Sequence, residues 1–240
     1  MNHIPGGRSI SSADLKEAIS ACYDRLAPYY TSNTRPQVRE QYLAQFRSLQ
    51  PGSRVLDAGC GTGLDASSLA ELGLKVVAID VSHEMYLLAR DRLSKMENVE
   101  VIQADTEHLN EPDGSFAAVL SALEIFHHVD LNETVRQYAR LLTPEGRLVI
   151  VTNHPVRNML LRNPPDYFVE DFFWEDWGEH GKVPKFHWGL SRYITAIHRA
   201  GLRLESFDEI CPSHDLVDVQ DHAIAFTGNY PSLLILGCSK

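Results

Sequence analysis

The chain has 240 residues, a formal net charge of −10 and 44% hydrophobic residues. This length suits one large domain with a sizeable core. The negative balance argues against a nucleic-acid partner, because such partners require clustered Lys and Arg. The four cysteines lie far apart without a CxxC pair, so we expect neither a zinc site nor a disulfide framework.

The first residues, "MNHIPGGRSISSADL", lack the charged start and apolar run of a signal peptide. No apolar run in the sequence approaches the roughly 20 residues that a membrane span needs. We therefore expect a cytoplasmic protein, a monomer or homodimer, without a membrane partner.

Short apolar runs alternate with helical patterns along most of the chain. Two helices are predicted within residues 11–50, "SADLKEAISACYDRLAPYY" and "PQVREQYLAQFRSL". Strands are then predicted at "RVLDAG", "KVVAID", "VEVIQAD", "FAAVLSALEI" and, after the turn "TPEG", at "GRLVIVTN". The helical patterns between them are "GLDASSLAELG", "SHEMYLLARDRLSKM" and "NETVRQYARLLT". This alternation predicts right-handed βαβ units and a parallel sheet.

Residues 153–188 interrupt the alternation with an irregular segment that is rich in aromatic residues, Pro and His. A helix ("GLSRYITAIHRAG") and two strands ("RLESFDEI" and "SLLILGCS") are predicted after it. Long insertions in a compact α/β fold are usually lids or binding loops. We therefore divide the chain into a helical cap, 1–50, and a core, 51–240, in which 153–188 is a lid insertion.

The stretch "VLDAGCGTGLDAS" joins the first predicted strand to a helix and contains three glycines. A phosphate-binding P-loop is excluded because no GK[ST] follows. A dinucleotide fingerprint fits Gly59 and Gly61, but Leu64 stands where Gly or Ala is required. The third interpretation is DxGxGxG, which begins at Asp57 and ends at Gly63. A carboxylate there would repel a pyrophosphate and suits a ligand that carries an amine.

Two more acids end the next predicted strands. Asp80 closes "VVAID", a position that binds ribose hydroxyls in many nucleoside-binding folds. Asp105, in "QADTEHL", ends the third strand, where it would lie beside an adenine edge. The three acids together predict a nucleoside that has an amine and no phosphates.

The segments "VLDAGCGTG", "VVAIDVSHEM", "IQADTEHL" and "LLTPEGRLVI" resemble, in order and spacing, the successive motifs of class I S-adenosylmethionine-dependent methyltransferases. The chain is similar to their small-molecule branch, which contains the ubiquinone/menaquinone-type enzymes; "SALEIFHHV" fits this pattern loosely. The resemblance implies a Rossmann-like, doubly wound, mostly parallel seven-stranded sheet with the last strand antiparallel. It also implies S-adenosylmethionine as cofactor, S-adenosylhomocysteine as product and a small-molecule acceptor.

The resemblance further implies a set of cofactor-binding residues at the strand ends, with two tyrosines of "YDRLAPYY" closing over the cofactor. The set is Tyr23, Tyr30, Asp57, Gly59, Gly61, Gly63, Asp80, Val81, Met85, Asp105, Thr106, Ser121 and Leu123. The expected activity is methyl transfer to an O, N or C nucleophile in secondary or cofactor metabolism. Two alternatives stay open: an NAD-dependent oxidoreductase and a non-catalytic nucleoside-binding subunit.

Histidines near the expected methyl position are the candidate general bases, because His most often serves this role. His127 and His128 follow the fourth strand, and His154 and His187 flank the insertion. We take His187 and His128 as the leading bases. The predicted acceptor-binding residues are His154, Tyr167, Phe173 and Trp174. No metal is predicted, although a set formed by His154, Asp166 and His187 is an alternative.

Overall fold

The computed structural model describes residues 12–30, 36–162, 164–178, 181–211 and 230–240. Its helices are α1 (Ser12–Leu26), α2 (Pro36–Leu43), α3 (Leu64–Glu71), α4 (His83–Leu93), α5 (Leu131–Leu141), α6 (Pro155–Leu160) and α7 (Leu190–Arg199). Its strands are β1 (Arg54–Ala58), β2 (Lys75–Asp80), β3 (Val99–Gln103), β4 (Phe116–Ala122), β5 (Leu142–Asn153), β6 (Phe172–Asp176), β7 (Lys182–Phe186), β8 (Arg203–Ile210) and β9 (Leu233–Ser239). No helix in these ranges is long and apolar enough to cross a membrane.

Seven strands form one sheet in the order β3-β2-β1-β4-β5-β9-β8. Strands β1 to β5 pair in parallel, whereas β9 lies antiparallel between β5 and β8. The predicted fold, a mostly parallel seven-stranded sheet with the last strand antiparallel, is confirmed. The strand order reverses between β1 and β4, and open sheets of this kind bind ligands beyond the carboxyl ends of the strands at such a point.

Helices cover both faces of the sheet because its central strands are apolar on both sides, as parallel strands usually are. Leu56 of β1 faces a core shared with α1, α5 and α7, including the buried ring of Tyr138. The adjacent Val55 faces the other core, which contains Tyr42 of α2 and residues of α3 and α4. Side chains of successive strand residues thus alternate between the two cores. The parallel pairing brings the carboxyl ends of the strands to one edge of the sheet, where side chains of several strands meet.

The predicted turn "TPEG" lies inside β5 as an irregularity of its pairing. Leu142 pairs with Phe116 and Arg147 pairs with Ala118, so Thr143 to Gly146 bulge out of the ladder. Glu145 adopts a left-handed backbone with φ of 64° there. The turn residues were located correctly, but the strand resumes on both sides of them.

The insertion contains regular structure that the sequence did not suggest. It holds α6 and an antiparallel ribbon in which β6 pairs with β7, with Trp174 opposite Pro184. A proline has no N–H to donate to the hydrogen bonds between strands and therefore argues against a strand, but it is tolerated in an edge strand. The ribbon has only two strands, so β7 offers such an edge.

Candidate active site

A cavity of about 750 Å³, counting space open to solvent, lies at the carboxyl edge of the sheet. Among the described residues it is lined by Lys16, Ile19, Tyr23, Tyr30, Gly59, Gly61, Asp80, Val81, Met85, Ala104, Asp105, Thr106, Ala122, Leu123, Glu124, His127 and His128. The lining thus joins α1 to the ends of β1, β2, β3 and β4.

The glycine corner after β1 lies against neighbouring elements too closely for side chains. Gly59 has φ of 67°, and a Cβ added there would lie 2.5 Å from Cβ of Glu124. Gly63 has φ of 80°, and a Cβ there would lie 2.8 Å from a methyl carbon of Leu93 on α4. Only glycine combines this backbone with such contacts. The corner therefore keeps its backbone open toward the cavity at Gly59 and packs on α4 at Gly63.

Asp80 ends β2 in the cavity and holds the loops beside it. Its Oδ2 accepts a hydrogen bond from the Gly61 N–H at 2.8 Å, and its Oδ1 accepts one from the Ser82 N–H at 2.9 Å. Burial raises the pKa of Asp80 to about 6, even though both N–H groups act to lower it. Each carboxylate oxygen has a second lone pair, so Asp80 can still accept bonds from ligand hydroxyls.

A charged network connects α1 with the ends of β3 and β4. The Lys16 ammonium lies 2.5 Å from Oδ2 of Asp105 and also contacts Glu107. His128 bridges two carboxylates, with Nδ1 2.9 Å from Glu107 and Nε2 2.5 Å from Glu124. Burial opposes the charged imidazole, but the two carboxylates outweigh it and raise the pKa of His128 to about 10. His128 is therefore a cation at neutral pH and cannot serve there as a base.

A second histidine of the lining, His127, is neutral. Its Nε2 lies 2.8 Å from the Tyr23 hydroxyl, and its Nδ1 lies 2.8 Å from the carbonyl oxygen of Pro184 on β7. Burial, and then the positive charge of Lys185, lower the pKa of His127 to about 3. The 3₁₀ turn Ile125–His127 after β4 thus joins the cavity to both α1 and the insertion.

The structure brings most of the predicted cofactor residues together in the cavity. Those that line it are Tyr23, Tyr30, Gly59, Gly61, Asp80, Val81, Met85, Asp105, Thr106 and Leu123. Three do not: Gly63 packs on α4, Asp57 is 1% exposed, and Ser121 is buried and donates to Glu124. Lys16, Glu124 and His127 join the lining, and the segment "EIFHHV" carried the only sequence signal for the last two.

The predicted bases and acceptor residues of the insertion lie outside the cavity lining. His187 is fully buried and donates from Nε2 to the Tyr167 carbonyl at 2.8 Å, so that nitrogen is not free to accept a proton. Tyr167 accepts from the Leu190 N–H. His187 therefore stays a predicted base that this geometry does not bring to the cavity lining, and the Tyr167 hydroxyl fixes the start of α7.

Three further insertion residues make contacts within the fold and lie outside the cavity lining. His154 caps α6 by accepting from the Val156 N–H and bonds Glu209 through Nε2 at 2.9 Å. Phe173 lies in the ribbon opposite Lys185, and Trp174 is 44% exposed with its edge on Phe172. None of them lines the cavity, so the prediction that they form its acceptor wall is corrected.

The described residues bring only one group of possible metal ligands together, Asp105, Glu107 and His108. The Lys16 ammonium already contacts both acids of this group. The alternative set His154, Asp166 and His187 does not converge, because each histidine bonds a different part of the fold.

Comparison with known proteins identifies the domain. A family model described as a methyltransferase domain matches residues 55–146, which run from β1 to the bulge in β5. This chain carries a methyltransferase domain. The class and the cofactor predicted from the sequence are confirmed.

Curated relatives match the methyltransferase domain over part of their length. A demethylmenaquinone methyltransferase of Clavibacter sepedonicus is 35% identical over 147 residues, which are 58% of this chain and 60% of that protein. A ubiquinone biosynthesis O-methyltransferase of Xanthomonas oryzae pv. oryzae is 42% identical over 120 residues, 48% of each chain. The chain thus spans about half to three fifths of the length of these relatives.

A solved structure extends the likeness of the methyltransferase domain beyond the matched segment. An S-adenosylmethionine-dependent methyltransferase from Mesorhizobium loti superposes with a TM-score of 0.69 and 26% identity. The superposition covers 84% of this chain and 98% of that structure.

Proposed function

We propose that the protein transfers the methyl group of S-adenosylmethionine to a small-molecule acceptor in secondary or cofactor metabolism. The observation that carries this proposal is the cavity at the switch point of the sheet, where the open glycine corner and the carboxyl groups of Asp80, Asp105 and Glu124 face one space. The quinone-pathway names of the relatives support the metabolic context.

The charges of the lining fit a cationic nucleoside better than a phosphorylated one. Asp80, Asp105 and Glu124 supply three carboxylates, against the cations Lys16 and His128. The excess negative charge attracts a sulfonium and an amine and repels a pyrophosphate. This balance favours methyl transfer over the NAD-dependent alternative.

The residues present have the chemistry to hold S-adenosylmethionine, which supplies an activated methyl group when bound. We assign the ribose hydroxyls to Asp80 and the adenine to Asp105 and Thr106. The glycine corner and Leu123 would contact the amino-acid end, and the rings of Tyr23 and Tyr30 would cover the cofactor. Positioning the acceptor against the methyl group is the main catalytic task and supplies about 7–11 kcal/mol.

The insertion is proposed to support the acceptor side of the cavity. Its ribbon reaches the cavity wall through the Pro184 carbonyl on His127 and through Lys185, whose ammonium lies 4.7 Å from the ring centre of Phe126. Water exclusion by such a segment is a recurring part of transfer reactions. Its aromatic side chains would then stabilise the lid rather than contact the acceptor.

Calorimetric titration with S-adenosylhomocysteine tests the proposal, and NAD serves as the control ligand. We expect saturable binding of the first and none of the second. A second experiment incubates the protein with a metabolite extract and deuteromethyl-labelled S-adenosylmethionine, and mass spectrometry then identifies the labelled product. No binding at millimolar S-adenosylhomocysteine would refute the proposal, whereas binding without turnover would favour a nucleoside-binding subunit.

A further inference from the structure

The hydrogen-bond direction at the cavity wall is fixed by the backbone carbonyl of Pro184. A carbonyl oxygen only accepts, so the His127 Nδ1 that lies 2.8 Å from it carries a proton. A neutral imidazole has one N–H, which leaves Nε2 with a lone pair. The Tyr23 hydroxyl, 2.8 Å from Nε2, must therefore donate to it.

The surroundings of His127 keep it neutral. Lys185 of β7, the adjacent cation His128 and burial act against a second proton, and Glu175 of β6 and the Pro184 carbonyl do not outweigh them. Tyr23, on α1, is partly buried, and this burial raises the pKa of its hydroxyl well above the usual value. Tyr23 therefore keeps its proton, directs it toward His127 and presents only lone pairs to the cavity.

We propose that the Tyr23 hydroxyl accepts a hydrogen bond from the nucleophile of the methyl acceptor, and that this nucleophile is a hydroxyl group. The inference rests on the proposed function and names its acceptor class. A carbonyl or carboxylate would face the lone pairs of Tyr23 unfavourably, whereas a hydroxyl or an N–H group is complementary to them. The low pKa of His127 selects the hydroxyl of these two, because a methylated ammonium is too weak an acid to pass its proton to that imidazole. The neighbouring Tyr30 ring, 6.1 Å away between centres, limits movement of Tyr23.

The step balances through the same bonds. The acceptor oxygen forms a bond to the methyl carbon while the C–S bond breaks and leaves its electron pair on sulfur. The acceptor proton passes to Tyr23 Oη as the Tyr23 proton passes to His127 Nε2, from which it later leaves to solvent. A hydroxyl that gains a methyl group becomes a far stronger acid than the imidazolium, so this relay is downhill. His127 acts through Tyr23 and is a positioning residue.

Nitrogen-15 spectra of the histidine rings test the hydrogen-bond direction without any ligand. The signals of His127 are assigned by their loss in His127→Gln. We expect a neutral ring protonated at Nδ1 from pH 5 to 9, with the Nε2 signal shifted in Tyr23→Phe. A ring protonated at Nε2, or an imidazolium at neutral pH, would overturn the inference.

Kinetics with the acceptor found in the extract experiment test the role in transfer. We expect the label on oxygen and, in Tyr23→Phe, a kcat lower by about 100-fold with the Kd of S-adenosylhomocysteine within about threefold of wild type. Tyr86→Phe on α4, outside the cavity lining, is the matched control and should keep the wild-type kcat.

Three outcomes would overturn the inference while leaving the proposed function intact. They are a methyl group on nitrogen or carbon, a wild-type kcat in Tyr23→Phe, and a Kd weakened about tenfold with kcat unchanged, which would assign the hydroxyl to the cofactor. Absence of S-adenosylhomocysteine binding by the wild-type protein would instead remove the proposed function, and this inference with it.

Discussion

Affinity for S-adenosylhomocysteine should fall as the pH falls through about 6, the raised pKa of the buried Asp80 carboxyl. Both of its oxygens accept backbone N–H groups, so a proton on either one opposes an existing bond as well as a ligand hydroxyl. About a tenth of Asp80 is ionised at pH 5 and about nine tenths at pH 7, and apparent affinity scales with the competent fraction. The Kd at pH 5 should therefore be about tenfold higher than at pH 7, which corresponds to a loss of about 1.4 kcal/mol of binding free energy.

Three other groups of the lining do not change their protonation state between pH 5 and 7. Burial acts to raise the pKa of Asp105, but the contact with Lys16 outweighs it and holds that pKa below its usual value. The pKa of His127 is about 3 and that of His128 is about 10. Titration calorimetry at pH 5, 6 and 7 measures the effect, with Asp80→Asn as the control that should bind weakly and independently of pH. A wild-type Kd that stays constant between pH 5 and 7 would refute the assignment of Asp80. An equal slope in Asp80→Asn would assign the effect to Asp57, whose carboxyl pKa burial also raises.

Two further substitutions test the glycine corner and the insertion. Gly59→Ala should abolish measurable S-adenosylhomocysteine binding and lower the free energy of unfolding by more than about 1 kcal/mol, because the new Cβ would collide with Glu124. Wild-type titration and melting curves would contradict this prediction. Glu175→Gln should lower the free energy of unfolding by about 3–5 kcal/mol in urea at pH 7, since it leaves the buried Arg157 and Lys185 without their shared carboxylate. These cations outweigh burial and lower the pKa of Glu175 to about 2. The difference in unfolding free energy between wild type and variant should therefore shrink as the pH falls from about 4 toward 2. A difference below about 1 kcal/mol at pH 7 would contradict the prediction.

The cofactor side of the cavity could be predicted from the sequence because it follows from local patterns and one topological rule. Alternating strands and helices imply a parallel sheet, and a parallel sheet brings its carboxyl ends to one edge. Gly59, Asp80 and Asp105 each end or follow a strand, so their shared location required no knowledge of distant contacts. Asp57 lies one residue before the end of β1, but its side chain is buried and does not line the cavity.

The acceptor side could not be predicted, because it depends on contacts between distant segments. His127 and His128 are adjacent and alike in sequence, yet one is neutral and the other is a cation. Burial and the charge of Lys185 on β7 keep His127 neutral, whereas Glu124 and the distant Glu107 make His128 a cation. No local pattern distinguishes a histidine near a buried lysine from one between two carboxylates.

The ribbon of the insertion influences the cavity through a backbone atom rather than through its aromatic side chains. Pro184 has no N–H to donate, and its strand β7 is an edge on the side of the 3₁₀ turn Ile125–His127, so its carbonyl is available to the imidazole. A carbonyl oxygen accepts hydrogen bonds whatever side chain its residue carries. The aromatic side chains of the ribbon can therefore change without altering the tautomer of His127, provided that Lys185 is kept and that β6 and β7 keep their register. Because Tyr23 takes its direction from that tautomer, the proposed selection of a hydroxyl acceptor depends on the pairing of the ribbon and on Lys185 rather than on its aromatic side chains.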